Sequence, residues 1–296
     1  MTDFVNFHLI PGIVLGCIYA LGAIGVSLTF GILRFANFAH GPTMTLGAYF
    51  TLTLTRLTGL HPLVVTPVSM ALTAAAMLVL DRLFYRPLRS SHAVILVMAS
   101  FGLMLMLTSA IQLAWGVQVQ ALVTGIQRPH VFFDTLRIAP KHLIIIAAAA
   151  ILMAAVHWLL TYTRTGKAMR AVSDSPELAS LTGIDTETVV RATWVIGAAL
   201  AAAAGTCLAL DSHVETQMGF KMLLPVFAAA IVGGIGRPYG AMAGGLLIGI
   251  TEELSTYAWL GTAPLLSPGY KAGVAFAIMV ATLIVRPSGL FRGRVF

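Results

Sequence analysis

Charged side chains are scarce in this sequence. They make up 10% of its 296 residues, whereas hydrophobic residues make up 58% and the mean hydropathy is +0.90. So few charges cannot cover a folded surface with groups that water solvates, which excludes the soluble globular class. The sequence therefore predicts an integral membrane protein. Its net charge of +7 is then a topology signal and not a nucleic-acid signal, because the Lys and Arg residues fall in short segments beside apolar runs.

Residue patterns that carry chemistry are also sparse. The two cysteines, Cys17 and Cys207, both fall in apolar runs, and we expect buried free thiols there instead of a disulfide or a metal pair. The sequence has no metal-ligand spacing, no GxSxG elbow and no phosphate loop, since the glycine-rich stretch 233–240 lacks the required lysine. We therefore expect a chain that is not an enzyme by itself and that holds no cofactor or metal.

Long apolar runs recur along the whole chain, most of them near or above the roughly 18 residues that mark a bilayer crossing. They predict an all-α fold, a polytopic transmembrane helical bundle of about 8–10 spans that forms a single domain over residues 1–296. Within the first run, the spacing of Gly12 and Gly16 allows close approach of a neighbouring helix. The predicted spans are 9–33, a second run ending near Thr55, Pro62–Leu80, Ala93–Trp115, 142–162, 192–210, 222–236, 241–259 and 269–285.

The distribution of basic residues predicts the orientation. Twelve of the 18 Lys and Arg residues fall at Arg34, in the loop 81–91, in the loop 163–191, at Arg237 or in the tail after Val285, and all of these segments share one side of the predicted topology. Because basic residues concentrate on the cytoplasmic side, the N-terminus is predicted outside and the C-terminus inside.

Two glycine- and proline-containing interruptions break the apolar pattern. They lie within 30–51 and 228–251, and their similar layout is a weak sign of an internal repeat. Irregular backbone in a membrane protein is tolerated where it lines a cavity, so the polar or glycine residues near the breaks are candidates for a translocation path. Two interpretations stay open for Asn37 and His40, which either satisfy broken backbone ends or line the path. The remaining candidates at the breaks are Gly41, Gly233 and Gly234.

Glu252 and Glu253 are the acidic pair that is most costly to place in a membrane helix. An acidic side chain near the bilayer centre costs on the order of 3 kcal/mol, and adjacent helix positions point ~100° apart. Glu252 therefore either faces the protein interior with a polar partner, as a further candidate for the path, or both acids reach the outer interface. Asp211 and Glu215 are expected in a solvated outer loop.

The loop 163–191 is the one long segment that belongs in water, since it carries eight charged residues. Apolar residues at helical spacing around Met169 predict one short helix. Asp174-Ser175-Pro176-Glu177 then combines a capping side chain, a proline at the first helical position and an acid at the positive helix end. Gly183 supplies the left-handed stop of that second helix. The loop is therefore predicted to be a helix–corner–helix suited to docking a partner.

Six segments together resemble the LivH-type permeases of branched-chain amino acid ATP-binding-cassette importers. The match spans essentially the whole chain. The motifs are 31–41 (GILRFANFAHG) with 46–49 (LGAY), 85–88 (YRPL), 166–172 (GKAMRAV), 177–184 (ELASLTGI), 232–236 (VGGIG) and 286–291 (RPSGLF).

This resemblance implies partners and a role for the loop. It implies a second, LivM-like permease, two ATP-binding subunits that bind ATP and Mg, a periplasmic substrate-binding protein, and a multi-pass location in the bacterial inner membrane. By the same resemblance, the loop contacts the ATPase subunits. Its candidate coupling residues are Gly166, Lys167, Arg170, Asp174, Glu177, Leu178, Ala179, Leu181, Gly183 and Ile184.

Substrate and energy source stay open at this level. Many relatives carry a lysine where this chain has Leu224-Pro225, and similar permeases also move urea, short amides or aromatic acids. A rival class is a self-sufficient secondary transporter that uses Glu252 as an ion or proton site.

Overall fold

The structure is a computed structural model that describes residues 4–123, 130–132, 136–258 and 267–291. Within these ranges the chain is almost entirely helical. The helices are α1 (Ile10–Leu33), α2 (His40–Thr58), α3 (Pro62–Leu80), α4 (Ala93–Trp115), α5 (Pro140–Tyr162), α6 (Arg164–Asp174), α7 (Pro176–Leu181), α8 (Thr186–Asp211), α9 (Met218–Gly233), α10 (Pro238–Ser255) and α11 (Lys271–Val285).

Short irregular elements extend or join these helices. A π-helical turn, Val5–Leu9, leads into α1, and a 3₁₀ turn, Pro268–Tyr270, leads into α11. Strands β1 (His130–Phe132) and β2 (Leu136–Ile138) pair antiparallel between α4 and α5. The all-α prediction therefore holds for the bundle but not for this connection.

The predicted spans agree with the observed helices to within a few residues at most ends, and α3 and α4 have the predicted bounds. The predicted end of the eighth span near Trp259 lies outside the described residues, and α10 ends at Ser255. The prediction of a basic loop directly after Leu80 is wrong. The helix continues through a π turn, Asp81–Tyr85, and a last turn, Arg86–Leu88, and ion pairs within the protein hold Asp81 and Arg86 of this segment.

Five helical stretches in the described residues are long and apolar enough to cross a membrane. They are Val5–Leu33, Pro62–Leu88, Ala93–Trp115, Pro140–Tyr162 and Thr186–Asp211. Helices α9 and α11 are apolar but have only 16 and 15 residues. At 1.5 Å per residue they reach about 24 Å, less than the ~30 Å of a hydrocarbon core. The chain is therefore a polytopic helical bundle with both full-length and shorter apolar helices.

Burial separates inner helices from outer ones. In the most apolar stretch of α1 and α8, 72% and 78% of the residues are buried, whereas the values for α3, α4 and α5 are 33%, 33% and 22%. A helix that is apolar on all sides and buried on all sides belongs to the centre of a bundle. The outer helices expose large apolar side chains such as Val68, Phe101 and Ile151, as expected for contact with lipid.

Helices α1 and α10 cross with their backbones very close together, and α1 contains the glycine spacing that predicted such an approach. A Cβ added at Gly249 would lie 2.2 Å from the backbone N of Gly16, and one added at Gly245 would lie 2.4 Å from that of Ala20. On the other side of the crossing, a Cβ at Gly16 would lie 2.9 Å from Leu246 Cα. The prediction that glycines of α1 permit close helix approach is confirmed. Both cysteines are buried and free, also as predicted.

Gly249→Ala is expected to destabilise the protein by about 1–3 kcal/mol, because the added methyl group overlaps the backbone of α1. The matched control is Gly102→Ala on α4, where an added Cβ meets nothing within 4 Å. Thermal unfolding in detergent should show a lower melting temperature for Gly249→Ala than for the wild type and an unchanged one for Gly102→Ala. Equal melting temperatures for both variants would contradict the observed crossing.

Candidate coupling loop and translocation residues

The loop 163–191 contains the two predicted short helices, α6 and α7. Each helix that begins in it has a side-chain cap: Thr163 Oγ1 accepts from Gly166 N at 3.0 Å, and Ser175 Oγ accepts from Leu178 N at 3.4 Å. Asp185 accepts from Glu187 N at 3.0 Å and thereby caps α8. The Thr188 hydroxyl also donates to Asp185, which lowers the pKa of this carboxyl. The caps satisfy the first free N–H groups of all three helices.

Helix α6 turns sharply back from α5 and buries one side. Met169 and Val172 are 2% and 3% exposed, which confirms the predicted apolar stripe, while Lys167 and Arg170 are exposed. A Cβ at Gly166 would lie 2.2 Å from Leu159 O, so the corner between α5 and α6 requires glycine. The sharp corner fixes the direction in which α6 leaves the membrane helix.

Helix α7 ends in a Schellman motif. Gly183 has φ +84°, its N–H donates to Ser180 O at 3.0 Å, and Ile184 N–H donates to Ala179 O at 3.1 Å. Ala179 is 3% exposed, and Ile184 packs against the same core cluster. These contacts hold the helix end rigidly on the body of the protein.

The outward side of α7 is apolar. Leu178 is 64% exposed and Leu181 is 82% exposed, and Glu177 beside them is also exposed. Residues three apart lie on the same side of a helix, so the two leucines form one surface. They form an exposed apolar surface within a segment that carries eight charged residues.

A cleft of about 220 Å³ separates α6 from the end of α1 and from the break between α9 and α10. Arg170 and Asp174 of the candidate coupling residues line it, together with Arg237. Ser173 Oγ donates to Gly31 O at 3.1 Å and ties α6 to α1. The loop therefore lies at the end of the bundle where α1 ends and α2 begins.

The first interruption, 34–39, is held by Asn37. Its Oδ1 accepts from Ala39 N at 3.1 Å and from the Tyr85 hydroxyl at 2.8 Å, and Asn37 is 2% exposed. The bond from Ala39 N satisfies a backbone donor at the break, as the first of the two interpretations for Asn37 expects. Arg34 has φ +58° and ends α1 by donating its N–H to Phe30 O at 2.8 Å.

His40 and Gly41 open α2 at a tight crossing. His40 is 2% exposed and packs so closely on α1 that a Cβ at Gly25 would lie 2.7 Å from its Cε1. Its Nε2 has no hydrogen-bond partner within the described residues. A Cβ at Gly41 would lie 2.6 Å from Gly219 O. Both residues thus serve close packing in this conformation.

The second interruption follows Gly233 and Gly234 and is closed by the C-terminal segment. Leu290 N donates to Val232 O at 2.9 Å, and Phe291 N donates to Gly233 O at 3.3 Å. A Cβ at Gly289 would lie 2.6 Å from Gly234 Cα. The segment 286–291 therefore supplies N–H donors to two of the last carbonyl groups of α9.

Glu252 faces the interior with a polar partner. It is 1% exposed and its Oε2 accepts from the Tyr19 hydroxyl at 2.6 Å, across the α1–α10 crossing. Its Oε1 has no hydrogen-bond partner within the described residues. Glu253 instead pairs with Lys271 at 2.6 Å. The structure thus decides for the interior placement of Glu252.

Asp211, expected in a solvated outer loop, is instead the last residue of α8. Asp211 ends α8 with a side chain 30% exposed, and its Oδ1 lies 3.2 Å from Lys141 Nζ and 3.4 Å from His142 Nε2 at the start of α5. Glu215 pairs with Lys221 at 2.5 Å. Asp211 is held because α5 and α8 meet at this end of the bundle.

The candidate path residues do not meet at one place. Asn37, His40 and Gly41 lie at the start of α2, and the two glycines lie at the end of α9. Glu252 lies 14 positions into α10 from Pro238, about 21 Å along the helix from that break. The candidate path residues therefore lie at three separate places: the start of α2, the end of α9 and the later part of α10.

Sequence reasoning missed a charged and aromatic cluster beside the first interruption. Arg89 Nη2 lies 2.5 Å from Asp81 Oδ2, and its Nη1 lies 2.5 Å from Glu187 Oε2. Tyr85 stacks on Trp194 of α8, with ring centroids 4.8 Å apart and planes at 26°. These contacts connect the end of α3 to the start of α8. The signal in the sequence was that two acids, Asp81 and Glu187, lie near arginines and could form ion pairs with them.

Gly183→Ala is expected to loosen the end of α7, because a left-handed backbone costs an alanine roughly 1–2 kcal/mol although there is space for its methyl group. Gly183→Asn is the matched control, since asparagine tolerates that conformation. Amide hydrogen exchange of residues 176–184 should be about tenfold faster in the alanine variant than in the asparagine variant. Equal exchange in both variants would argue against a required left-handed stop.

Tyr19→Phe should lower stability by about 1 kcal/mol, because it removes the hydrogen bond to the buried Glu252 carboxyl group. Glu252→Gln should cost less, since an amide oxygen still accepts from Tyr19. The double variant Tyr19→Phe/Glu252→Leu tests the coupling, because it leaves no buried polar group unpaired. In detergent unfolding, a double variant whose loss of stability equals the sum of the losses in Tyr19→Phe and in Glu252→Leu would contradict a direct interaction.

Comparisons with known proteins agree with this architecture. Residues 9–283 match the family model described as branched-chain amino acid transport system / permease component. The chain is 30% identical to the high-affinity branched-chain amino acid transport system permease protein BraD of Pseudomonas aeruginosa, over 96% of this chain and 94% of that protein. It is 34% identical to the high-affinity branched-chain amino acid transport system permease protein LivH of Escherichia coli, over 94% and 92% of the two chains.

A further relative and a solved structure extend the comparison. The probable branched-chain amino acid transport permease protein LivH of Methanocaldococcus jannaschii is 32% identical, over 90% of this chain and 86% of that protein. The structure of PsaBC from Streptococcus pneumoniae in complex with Fab aligns with a TM-score of 0.51 at 14% identity, covering 97% of this chain and 95% of the other, and shows a shared fold. The sequence matches over nearly the whole length show that this chain belongs to the permease-component family of branched-chain amino acid transport systems.

Proposed function

We propose that this chain is the transmembrane permease subunit of an ATP-binding-cassette importer for branched-chain amino acids. A periplasmic binding protein delivers the substrate, and partner subunits hydrolyse ATP. The full-length match to branched-chain amino acid permeases carries the proposal. The same match favours these amino acids over urea, short amides or aromatic acids.

The proposal includes the assembly and its placement. Two ATP-binding subunits hold ATP and Mg, so this chain itself needs no cofactor, and a LivM-like second permease completes the pore. The chain lies in the bacterial inner membrane with its N-terminus outside and its C-terminus inside. About 8–10 crossings follow if the shorter helices also span, with the segments 30–51 and 228–251 as related parts of an internal repeat.

The ATPase side of the importer is proposed to bind the loop 163–191 on the surface formed by Leu178 and Leu181. Their exposure supports this placement, as does the rigid ending of α7 on the body of the protein. Helix α5 ends at Tyr162 directly before the loop, and α8 begins at Thr186 within it. A movement of the loop therefore acts on both membrane helices as levers.

Side-chain contacts connect α8 to the first interruption and can transmit the loop movement to it. Glu187, in the first turn of α8, is paired with Arg89, and Trp194, two turns later, is stacked on Tyr85. Tyr85 in turn donates to Asn37 in the break before α2. Loop movement can thus reposition the break next to His40 and Gly41. The other path candidates, Gly233, Gly234 and Glu252, enter the proposal as residues of the second interruption and its helix α10.

Leu181→Asp is expected to lower the substrate-stimulated ATPase activity of the assembled importer about tenfold. The substitution places a charge on an apolar side chain that the proposed ATPase contact buries. The side chain is 82% exposed here, so folding and membrane insertion should be unchanged. Leu57→Asp is the matched control, since Leu57 is 77% exposed at the far end of α2, about 26 Å along that helix from His40.

ATPase activity and substrate uptake of these variants can both be measured in proteoliposomes. Normal coupling in Leu181→Asp would refute the proposed ATPase contact. Uptake by this chain alone, driven by an ion gradient, would instead support the rival secondary transporter that uses Glu252.

A further inference from the structure

A second cleft, of about 270 Å³, lies between the end of α3 and the start of α8. Its lining is strongly charged: Asp81, Arg82 and Arg86 come from the continuation of α3, and Glu187 and Arg191 come from α8. Leu78 forms its apolar side. None of these side chains belongs to the exposed leucine surface of α7.

The two acids of this cleft are already neutralised. Arg89, which lies behind the cleft, reaches Asp81 and Glu187 at 2.5 Å each, and Asp81 is only 4% exposed. Glu187 Oε1 is additionally 3.5 Å from Arg86 Nε and 3.3 Å from Arg191 Nε. Four arginines therefore surround two carboxylates, which leaves an excess of positive charge at the mouth of the cleft.

Arg82 carries that excess most directly. It is exposed and has no ion-pair partner among the described residues, whereas Arg86 and Arg191 are 50% and 55% exposed beside Glu187. Three guanidinium groups on two helices can converge on one phosphate group, for which their planar donor geometry is suited.

The surroundings of the cleft indicate where such a phosphate comes from. The stretch Pro62–Leu88 is one apolar helical stretch long enough to cross a membrane, and the arginines lie at its end. Val79 and Leu83 in the same turns are 56% and 62% exposed, and Phe84 is 37% exposed. A basic group directly above exposed apolar side chains matches a phospholipid, with its phosphate at the arginines and its acyl chains along α3.

We propose that this cleft binds the phosphate headgroup of an anionic phospholipid and thereby ties the α3–α8 contact to the composition of the membrane. The ligand bridges Arg82 and Arg86 of one helix with Arg191 of the other. A lipid at this place stabilises the junction through which α8 leaves the loop 163–191.

Native mass spectrometry of the full-length chain in detergent tests the proposal with three separate additions: phosphatidylglycerol, phosphatidylcholine and inorganic phosphate. The wild-type chain should retain phosphatidylglycerol in preference to phosphatidylcholine. Arg82→Gln should lower that retention about fivefold, because one surface cation is lost, while Arg82→Lys should keep most of it. Arg56→Gln removes an exposed cation near the far end of α2 and should leave retention unchanged.

Three results would overturn the lipid site. The first is equal retention of the two lipids by the wild-type chain. The second is equal loss in Arg82→Gln and Arg56→Gln. The third is an inorganic phosphate adduct that depends on Arg82 and displaces phosphatidylglycerol, which would assign the cleft to a soluble anion. Because Arg82 forms no ion pair among the described residues, the melting temperature of Arg82→Gln in detergent without added lipid should match that of the wild type.

Discussion

Backbone N–H and C=O groups that leave a helix inside an apolar body need partners within the protein, and the architecture depends on how these partners are supplied. At the first interruption the Asn37 side chain accepts from Ala39 N, directly before α2, and from the Tyr85 hydroxyl. At the second, the segment 286–291 donates N–H groups to the end of α9. In the polar loop, Thr163, Ser175 and Asp185 cap the helices. Irregular backbone is tolerated at each place because protein groups supply its hydrogen-bond partners.

Close packing of the inner helices follows from the absence of side chains. Glycines at the α1–α10 crossing bring two backbones together, and the contact of Gly41 with Gly219 does the same for α2 and α9. Since lipid is as apolar as leucine, helices in a membrane associate through such close contacts and through polar pairs such as Tyr19 with Glu252. The outer helices need no such fit, because their exposed side chains meet lipid.

The loop 163–191 and the charged cluster around Arg89 meet on helix α8. Helix α8 starts in the loop, and its first turns carry Glu187 and Trp194, which bind the end of α3. A partner on Leu181 and a lipid at Arg82 would therefore act on the same helix from two sides. The buried ion pair of Arg89 with Asp81 sets the position of that contact, since charges removed from water are stable only when their partners stay in place.

The sequence by itself determined the helices and much of the loop. Long apolar runs fixed the spans, and the proline, glycine and capping residues of 174–184 predicted where α7 begins and ends, because these signals act within a few residues. The motifs also predicted the family that the comparisons confirm.

Only the tertiary structure decided which polar groups meet. It placed Tyr19 against Glu252, Arg89 between Asp81 and Glu187, and Leu290 on α9, pairs that are separated by up to 233 residues. The helical end of α3 depends on such pairs, and local composition alone had suggested a loop there. Contacts between distant segments depend on how helices cross, and helix crossing is set by packing that no local pattern records.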